Sequence, residues 1–328
     1  MTSTRTEYGG QKSFEVDMSR IVAIVNPHSG KNKRNPQIIE RFRQILGTQG
    51  VLFSPSSIEE MNLYLLRALR QTNVEILCIN GGDGTIHKVI TILFQILGDN
   101  PWPKIVILKG GTMNNIARNI GIPLFKNAHT LLQEIVEYDS YTTIKKHPLI
   151  VDETYAGFIY GTSGISAYLE EYYDGGNPSV WKAAMIAIRS MLSAVINGEY
   201  VNKIFASRPI RLQVDGQKGK ENHSTNMGIS TVSDLGFYLR PFYATLERPD
   251  IAHVITMNCS PLYLLFALPN MWMARPTNKS YIEDMSGQEI DLHFEGEQSF
   301  TLDGDLYPIK GEQRIRVGRS IEFIIGKK

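Results

Sequence analysis

The feature that most restricts the fold is a repetition. Three short apolar runs, Ile21 to Val25, Glu75 to Ile79 and Ile105 to Leu108, each end in a turn that contains glycine. Runs of this length without polar alternation suit strands buried on both faces of a parallel sheet. Between them lie segments with apolar residues at helical spacing. Ile38, Ile39, Phe42, Ile45 and Leu46 form one, with Asn35 as N-cap, Pro36 as first helical residue and Gly47 as terminator. Val51 to Phe53 reads as a further strand, and Ser57 with Glu60 makes a capping box for a helix carrying Leu63, Leu66 and Leu69. Ile86, Val89, Ile90, Leu93, Ile96 and Leu97 mark the next helix. The alternation predicts a doubly wound parallel sheet with ligand loops at the carboxyl ends of its strands.

The loops carry chemistry at those ends. Gly81, Gly82 and Gly84 lack a Cβ, so the backbone can approach a phosphate closely, and the free N–H groups of the following helix face the same anion. Asp83 among them is repulsive to a polyphosphate unless a cation intervenes, and a hard oxygen ligand suits Mg²⁺. A glycine-rich turn closed by an Asx cap fits the same residues. Asn26-Pro27-His28-Ser29-Gly30-Lys31 is a second candidate phosphate or ribose loop, or else an exit turn before a solvated basic run. Lys109-Gly110-Gly111-Thr112-Met113-Asn114-Asn115 is a third, closed downstream by Gly121-Ile122-Pro123. Three such loops in one sheet favour a nucleotide cleft over three unrelated turns.

At 328 residues the chain is long enough for two domains, each with its own core. Apolar content of 42% and charged content of 20% fit an ordinary soluble globular protein. A net charge of +1 argues against nucleic acid as partner. Cys78 and Cys259 fall in predicted apolar strands, which fits inert thiols in a reducing compartment. Residues 1–20 are polar, of mixed charge and without a signal-type apolar core, so a flexible tail and a cytoplasmic location are expected. Pro261 to Met273 is the most apolar later stretch, too short to span a bilayer and suited to core or to a membrane-facing surface.

Together the three loops, Asn26 to Lys31, Gly81 to Thr85 and Gly111-Thr112-Met113-Asn114-Asn115-Ile116-Ala117-Arg118, resemble the catalytic domain of the diacylglycerol kinase family, which includes soluble bacterial lipid kinases and sphingosine kinases. Order and spacing of all three match. The Gly-Gly-Asp-Gly-Thr element alone is shared with NAD kinases and phosphofructokinases. The resemblance implies ATP bound by Asn26, Ser29, Gly30, Lys31, Gly81, Gly82, Asp83, Gly84, Thr85, Gly111, Thr112 and Asn114, with Mg²⁺ held by Asp83 and, more weakly, by Asn115.

Beyond about residue 145 short strands replace the helical alternation, so the expected units are residues 21–145 and 146–328. Strand candidates are Tyr155 to Tyr160, Ile210 to Val214, Met227 to Val232, His253 to Asn258, Gln288 to Phe294 and Ser299 to Leu302, with a hairpin at Asp215-Gly216 and one helix from Val180 to Ile196. The family's second domain is an antiparallel β-sandwich bordering a lipid cleft. The expected class is therefore α/β plus β. Ile315, Val317, Ile321 and Phe323 alternate in terminal strands expected to return toward the first domain. Asp303-Gly304-Asp305 is by itself a turn with solvated acids. By resemblance, Asp303 is the general base for a lipid hydroxyl, and Asp305 supports it or the nucleotide.

Several positions depart from the family. Asn115 stands where many members have Asp, Lys88 where many have Glu, and Asp305 where they have Glu; an acid expected near Thr143 to His147 has no match. Fewer carboxylates imply weaker Mg²⁺ binding. Three readings follow: an ATP-dependent lipid kinase meeting membranes transiently, an NAD kinase-like enzyme, and a nucleotide- or lipid-binding protein without catalysis. Oligomeric state is not encoded in any pattern recognised here.

Overall fold

The computed structural model of the protein describes residues 20–327 apart from 72, 124, 139, 175–184, 187–188, 190–204, 221–222, 237 and 278–279. The expected tail, Arg20 aside, and most of the helix expected from Val180 to Ile196 lie outside the described residues.

The buried apolar runs pair as expected for a parallel sheet. β1 (Ile21–Val25), β2 (Gly50–Phe53), β3 (Ile76–Gly81) and β4 (Lys104–Lys109) lie in the order β2-β1-β3-β4, all parallel. Every residue of β1 and β3 is buried, which explains the absence of polar alternation. The helices are α1 (Gly30–Arg34), α2 (Ile38–Leu46), α3 (Ile58–Gln71), α4 (Asp83–Leu97), α5 (Asn115–Asn119) and α6 (Ala128–Glu137). Phe42, Leu46, Leu65, Val89, Ile90 and Leu93 from these helices join one core with the strands. Each such side chain contributes about 1.5–3 kcal/mol through burial. Helix α2 begins at Ile38 with Gln37 rather than Asn35 as N-cap, and Gly47 ends it at φ 50.

The second sheet is antiparallel and contains eleven strands. Its strands are β6 (Leu149–Val151), β7 (Tyr155–Gly157), β8 (Ile159–Ser163), β9 (Arg208–Val214), β10 (Gln217–Lys218), β11 (His223–Ser224), β12 (Asn226–Ser230), β13 (Ala252–Met257), β14 (Ile282–Gly287), β15 (Glu289–Leu302) and β16 (Asp305–Val317). The two candidate strands 288–294 and 299–302 are one long strand, β15, whose register shifts between His293 and Glu297. Its first half pairs with β9 and its last residues with β8. Side chains from β8, β12 and β13 therefore meet those of β9 and β16 in one core, the sandwich arrangement. The Asp215-Gly216 hairpin is present, with φ 46 and 79. Cys78 is buried in β3, whereas Cys259 lies just beyond β13 and is half-buried.

Three described helices belong to this half: α7 (Gly164–Tyr173), α8 (Ala244–Glu247) and α9 (Pro261–Trp272). The last strand, β17 (Ile321–Lys327), returns to the first sheet and inserts between β4 and β5 (Tyr141–Lys146), parallel to one and antiparallel to the other. Helix α4 joins the two layers. Thr91 Oγ1 both donates to Ala156 O (3.0 Å) and accepts from Ala156 N–H (3.2 Å) in β7. Among the described residues, no helix is long and apolar enough to cross a membrane.

Candidate active site

Register places three loops at one level. Val25 pairs with Asn80 and Asn80 with Leu108, so the turns after β1, β3 and β4 begin side by side. Buried Asn80 ties them: its Nδ2 donates to Leu108 O (2.8 Å) and its Oδ1 accepts from Asn32 Nδ2 (2.7 Å), which also reaches Asn26 O (2.6 Å). The Lys31 N–H donates to Gly110 O (3.0 Å), and the Gly110 N–H to Gly81 O (2.9 Å). A Cβ added to Gly111 would lie 2.4 Å from Gly82 Cα, so glycine is demanded there by contact between the loops themselves. Asn26 Nδ2 donates to Thr85 Oγ1 (2.8 Å), while Asn114, left-handed at φ 53, folds its amide back onto Gly111. Ser29 is buried at the start of α1, and Thr112 Oγ1 lies against Gly30. The expected nucleotide residues thus converge on one edge.

Two cations stand at that edge. Lys31 is exposed, and Lys109 at the end of β4 donates its ammonium to Pro123 O (2.7 Å). Burial, then repulsion from Lys31, hold the Lys109 ammonium below its ordinary pKa. Neighbouring like charges of this kind suit a polyanion. Lys109 opens the third loop's motif, and its place at a strand end beside Gly110 is the sequence signal for a cation there.

Asp83 opens α4, and its two oxygens accept the N–H groups of Asn115 and Ile116, both at 3.0 Å. It therefore caps α5. Burial raises its pKa most; the Asp303 charge adds to this, and the two N–H bonds and Arg118 oppose it. The Asn115 side-chain oxygen, expected to face Mg²⁺, accepts from Arg118 Nη2 (2.7 Å). Arg118 in turn grips Asp234 of the second sheet's loops with Nε (3.0 Å) and Nη2 (3.2 Å), and Asn119 exchanges two hydrogen bonds with the Asp234 backbone. The third loop is thereby latched to the second sheet's side.

Asp303 arrives from the other half. It occupies the two-residue turn between β15 and β16, where Leu302 pairs with Asp305 and positive φ at Asp303 (53) and Gly304 (99) matches a hairpin turn of the primed type. Its side chain is 1% exposed. Phe158 N–H reaches both oxygens (3.0 and 3.1 Å) and Ile159 N–H reaches Oδ1 (2.9 Å). Tyr173 Oη donates to Gly304 O (3.1 Å), so this tyrosine covers the turn.

Between the two acids lies a group the sequence reading left without a role. His87, one helical turn after Asp83, is fully buried, with Nδ1 3.6 Å from Asp303 Oδ2 and Nε2 2.7 Å from Tyr307 Oη. Lys88 Nζ donates to the same hydroxyl (2.7 Å) and pairs with Asp305 Oδ2 at 2.9 Å. Burial lowers the Lys88 pKa, but the bonds to Tyr307 and Asp305 outweigh it and hold it above its ordinary value. The charge reversal at position 88 is thereby matched inside the chain. The spacing of His87 from Asp83 was the available clue; the position of Tyr307 gave none.

Mg²⁺ fits this setting as an ion carried on a triphosphate. Such an ion takes one or two carboxylates besides phosphate oxygens. Asp83 offers a partly buried carboxylate with remaining lone pairs and a charge disfavoured by desolvation and by Asp303. Among the described residues, no group of three or more His, Cys, Asp or Glu forms a cage for a metal.

Residues 20–143 match the diacylglycerol kinase catalytic domain. Probable diacylglycerol kinase 3 of Caenorhabditis elegans is 30% identical over 122 residues, 36% of this chain and 15% of that protein. Probable lipid kinase YegS of Escherichia fergusonii is 46% identical over 55 residues, 17% of this chain and 18% of its own. The matched stretches span less than a fifth of either curated relative. A crystal structure described as a diacylglycerol kinase from Bacillus anthracis str. Sterne superposes with a TM-score of 0.65 at 14% identity, over 94% of this chain and 98% of that one. A second structure from the same organism gives 0.69 at 14% identity with the same coverage. Residues 20–143 are therefore similar to the diacylglycerol kinase catalytic domain, and the fold of the chain, parallel and antiparallel halves together, is shared with these bacterial structures.

Proposed function

We propose that the protein is an ATP-dependent lipid kinase, moving the γ-phosphoryl group of ATP to a hydroxyl of a diacylglycerol, sphingoid or related lipid. The observation that supports this most is the contact of Asp303, from the far hairpin, with His87 (Oδ2 to Nδ1, 3.6 Å), one helical turn after Asp83 at the glycine loops. Phosphoryl transfer asks for positioning and charge neutralisation more than for covalent chemistry.

The loops around Gly82 and Gly111 hold the phosphates, with Lys31 and Lys109 balancing their charge. Bound Mg²⁺ would supply further neutralisation of the triphosphate at Asp83. Asp303, held in one orientation by the Phe158 and Ile159 N–H groups, takes the acceptor's proton as the new O–P bond forms and the bond to the β-phosphate oxygen breaks. Asp305 and Lys88 face the loop at Gly84, where an added Cβ would lie 3.7 Å from Asp305 Oδ1.

One observation favours a second reading, binding without turnover: Lys88 occupies Asp305, and Arg118 occupies Asn115, two of the positions that depart from the family pattern. Incubation with ATP, Mg²⁺ and a panel of lipid alcohols, with NAD as control acceptor, separates the readings. Phosphorylated lipid is the expected product. Phosphorylated NAD, or nucleotide binding with no product from any acceptor, overturns the proposal.

A further inference from the structure

Helix α9 (Pro261–Trp272) has no charged side chain in its twelve residues. Its inner face, Ala267 and Met271 with Leu264 and Leu268, packs on Phe242, Ile255 and Met257. The outer face of a surface helix is ordinarily polar. Here it presents Leu262, Tyr263, Phe266 (65% exposed), Trp272 (49%) and Met273. An exposed apolar and aromatic face of this kind marks an interaction surface.

Charge indicates what covers it. Arg240 Nη2 donates to Trp272 O (2.9 Å) at the carboxyl end of the helix, and its Nε has no acceptor among the described residues. Arg275, just beyond, is exposed. Among the described residues neither arginine has a carboxylate within ion-pair distance. An aromatic strip bordered by guanidinium groups that have no carboxylate partner among the described residues complements the interface of an anionic bilayer, where Trp and Tyr rings settle and basic side chains meet headgroups. A second copy of the chain would match the apolar strip but would bring the same positive charges together.

The core beneath the strip also reaches residues next to the candidate site. The cluster beneath α9 includes Ile159, whose N–H holds Asp303, and Leu235 and Leu239, whose turn follows the Arg118 partner Asp234. Tyr238 at the tip of that turn is exposed, with its ring over Arg118. We propose that α9 docks this protein on anionic phospholipid surfaces, so that a lipid acceptor is met at the bilayer. The idea rests on the lipid-kinase reading for its purpose, but binding to a bilayer needs no turnover.

The test is sedimentation of the full chain, without ATP, on vesicles of phosphatidylcholine alone or with roughly a third phosphatidylglycerol. Wild type is expected to bind the anionic vesicles about tenfold more tightly. The Phe266→Ser/Trp272→Ser variant should lose roughly tenfold in vesicle affinity with an unchanged melting temperature. Should it melt early, Leu262→Ser/Tyr263→Ser repeats the test. Arg275→Glu should reduce the preference for anionic vesicles. Unchanged vesicle binding in these variants, no binding by wild type, or a solution dimer that the same substitutions dissociate would each overturn the proposal. Phosphorylation of a short-chain, water-soluble diacylglycerol keeps the two ideas apart: docking without that activity leaves only the kinase reading refuted, and activity without docking refutes only this one.

Discussion

Asp83, partly buried, and Asp303, with its side chain buried, are both held by backbone N–H groups, yet they are built in opposite ways. Asp83 stands at the junction of a parallel strand and a helix, and its N–H partners come from the next loop of the same sheet. Asp303 stands at the tip of a hairpin in a left-handed conformation, and its partners come from β8 and the residue before it, neighbours only because β15 crosses to that strand. One acid is placed by local succession, the other by topology. A nucleotide side made of short-range pieces and an acceptor side delivered from afar divide the molecule along its cleft.

Four experiments break or sharpen that contrast. The largest effect is expected from Asp303→Asn, a loss of about 10²–10⁴-fold in kcat with little change in nucleotide KM, since the general base alone is removed. Asp83→Asn should instead raise the KM for Mg²⁺-ATP as well as lower kcat. Steady-state kinetics with both substrates varied would show it, and identical profiles would erase the distinction between the two acids. Next is Arg118→Ala, which leaves the buried Asp234 carboxylate unpaired across the cleft. Chemical denaturation should report a loss of up to about 3 kcal/mol, the low end for a buried pair because Arg118 keeps some exposure.

Gly111→Ala should come third. Its Cβ meets Gly82 backbone, which cannot move aside as a side chain would, so roughly 1–3 kcal/mol of overpacking is expected in thermal melts. Gly84→Ala, with no contact nearer than 3.7 Å, is the control that should melt like wild type. The smallest effect concerns pH. Asp83 has a raised pKa in the folded chain, so the folded state binds its proton more readily than the unfolded one. Stability relative to Asp83→Asn should therefore increase as pH falls through the folded pKa toward the ordinary carboxylate value, then level off. A difference that shrinks on acidification would mean that Asp83 is instead stabilised as the anion.

Much of the first half was legible because its information is local. Ile76 to Ile79 are apolar without alternation, Gly81 to Gly84 punctuate them, and Ile86 onward repeats at helical spacing. The Asp303 turn was legible as a turn from Asp-Gly alone. That its carboxylate points inward beside His87 was not, since a solvated and a buried hairpin share the same two residues. The pairing of Lys88 with Asp305 and of Arg118 with Asp234 joins positions far apart in the chain, and no periodicity records such partners. The candidate strands 288–294 and 299–302 read as two because the bulge between His293 and Glu297 breaks the alternation.

By itself the sequence determined the strand and helix periods, the glycine turns that end three strands at one edge, and the chemistry gathered in them. These are properties of neighbours along the chain. Tertiary structure alone decided that β17 lies between β4 and β5, that α4 carries His87 against the Asp303 hairpin, and that α9 keeps an apolar face outward. The reason is that strand order and exposure are set by which surfaces bury one another most completely, a competition among distant segments that local patterns do not encode.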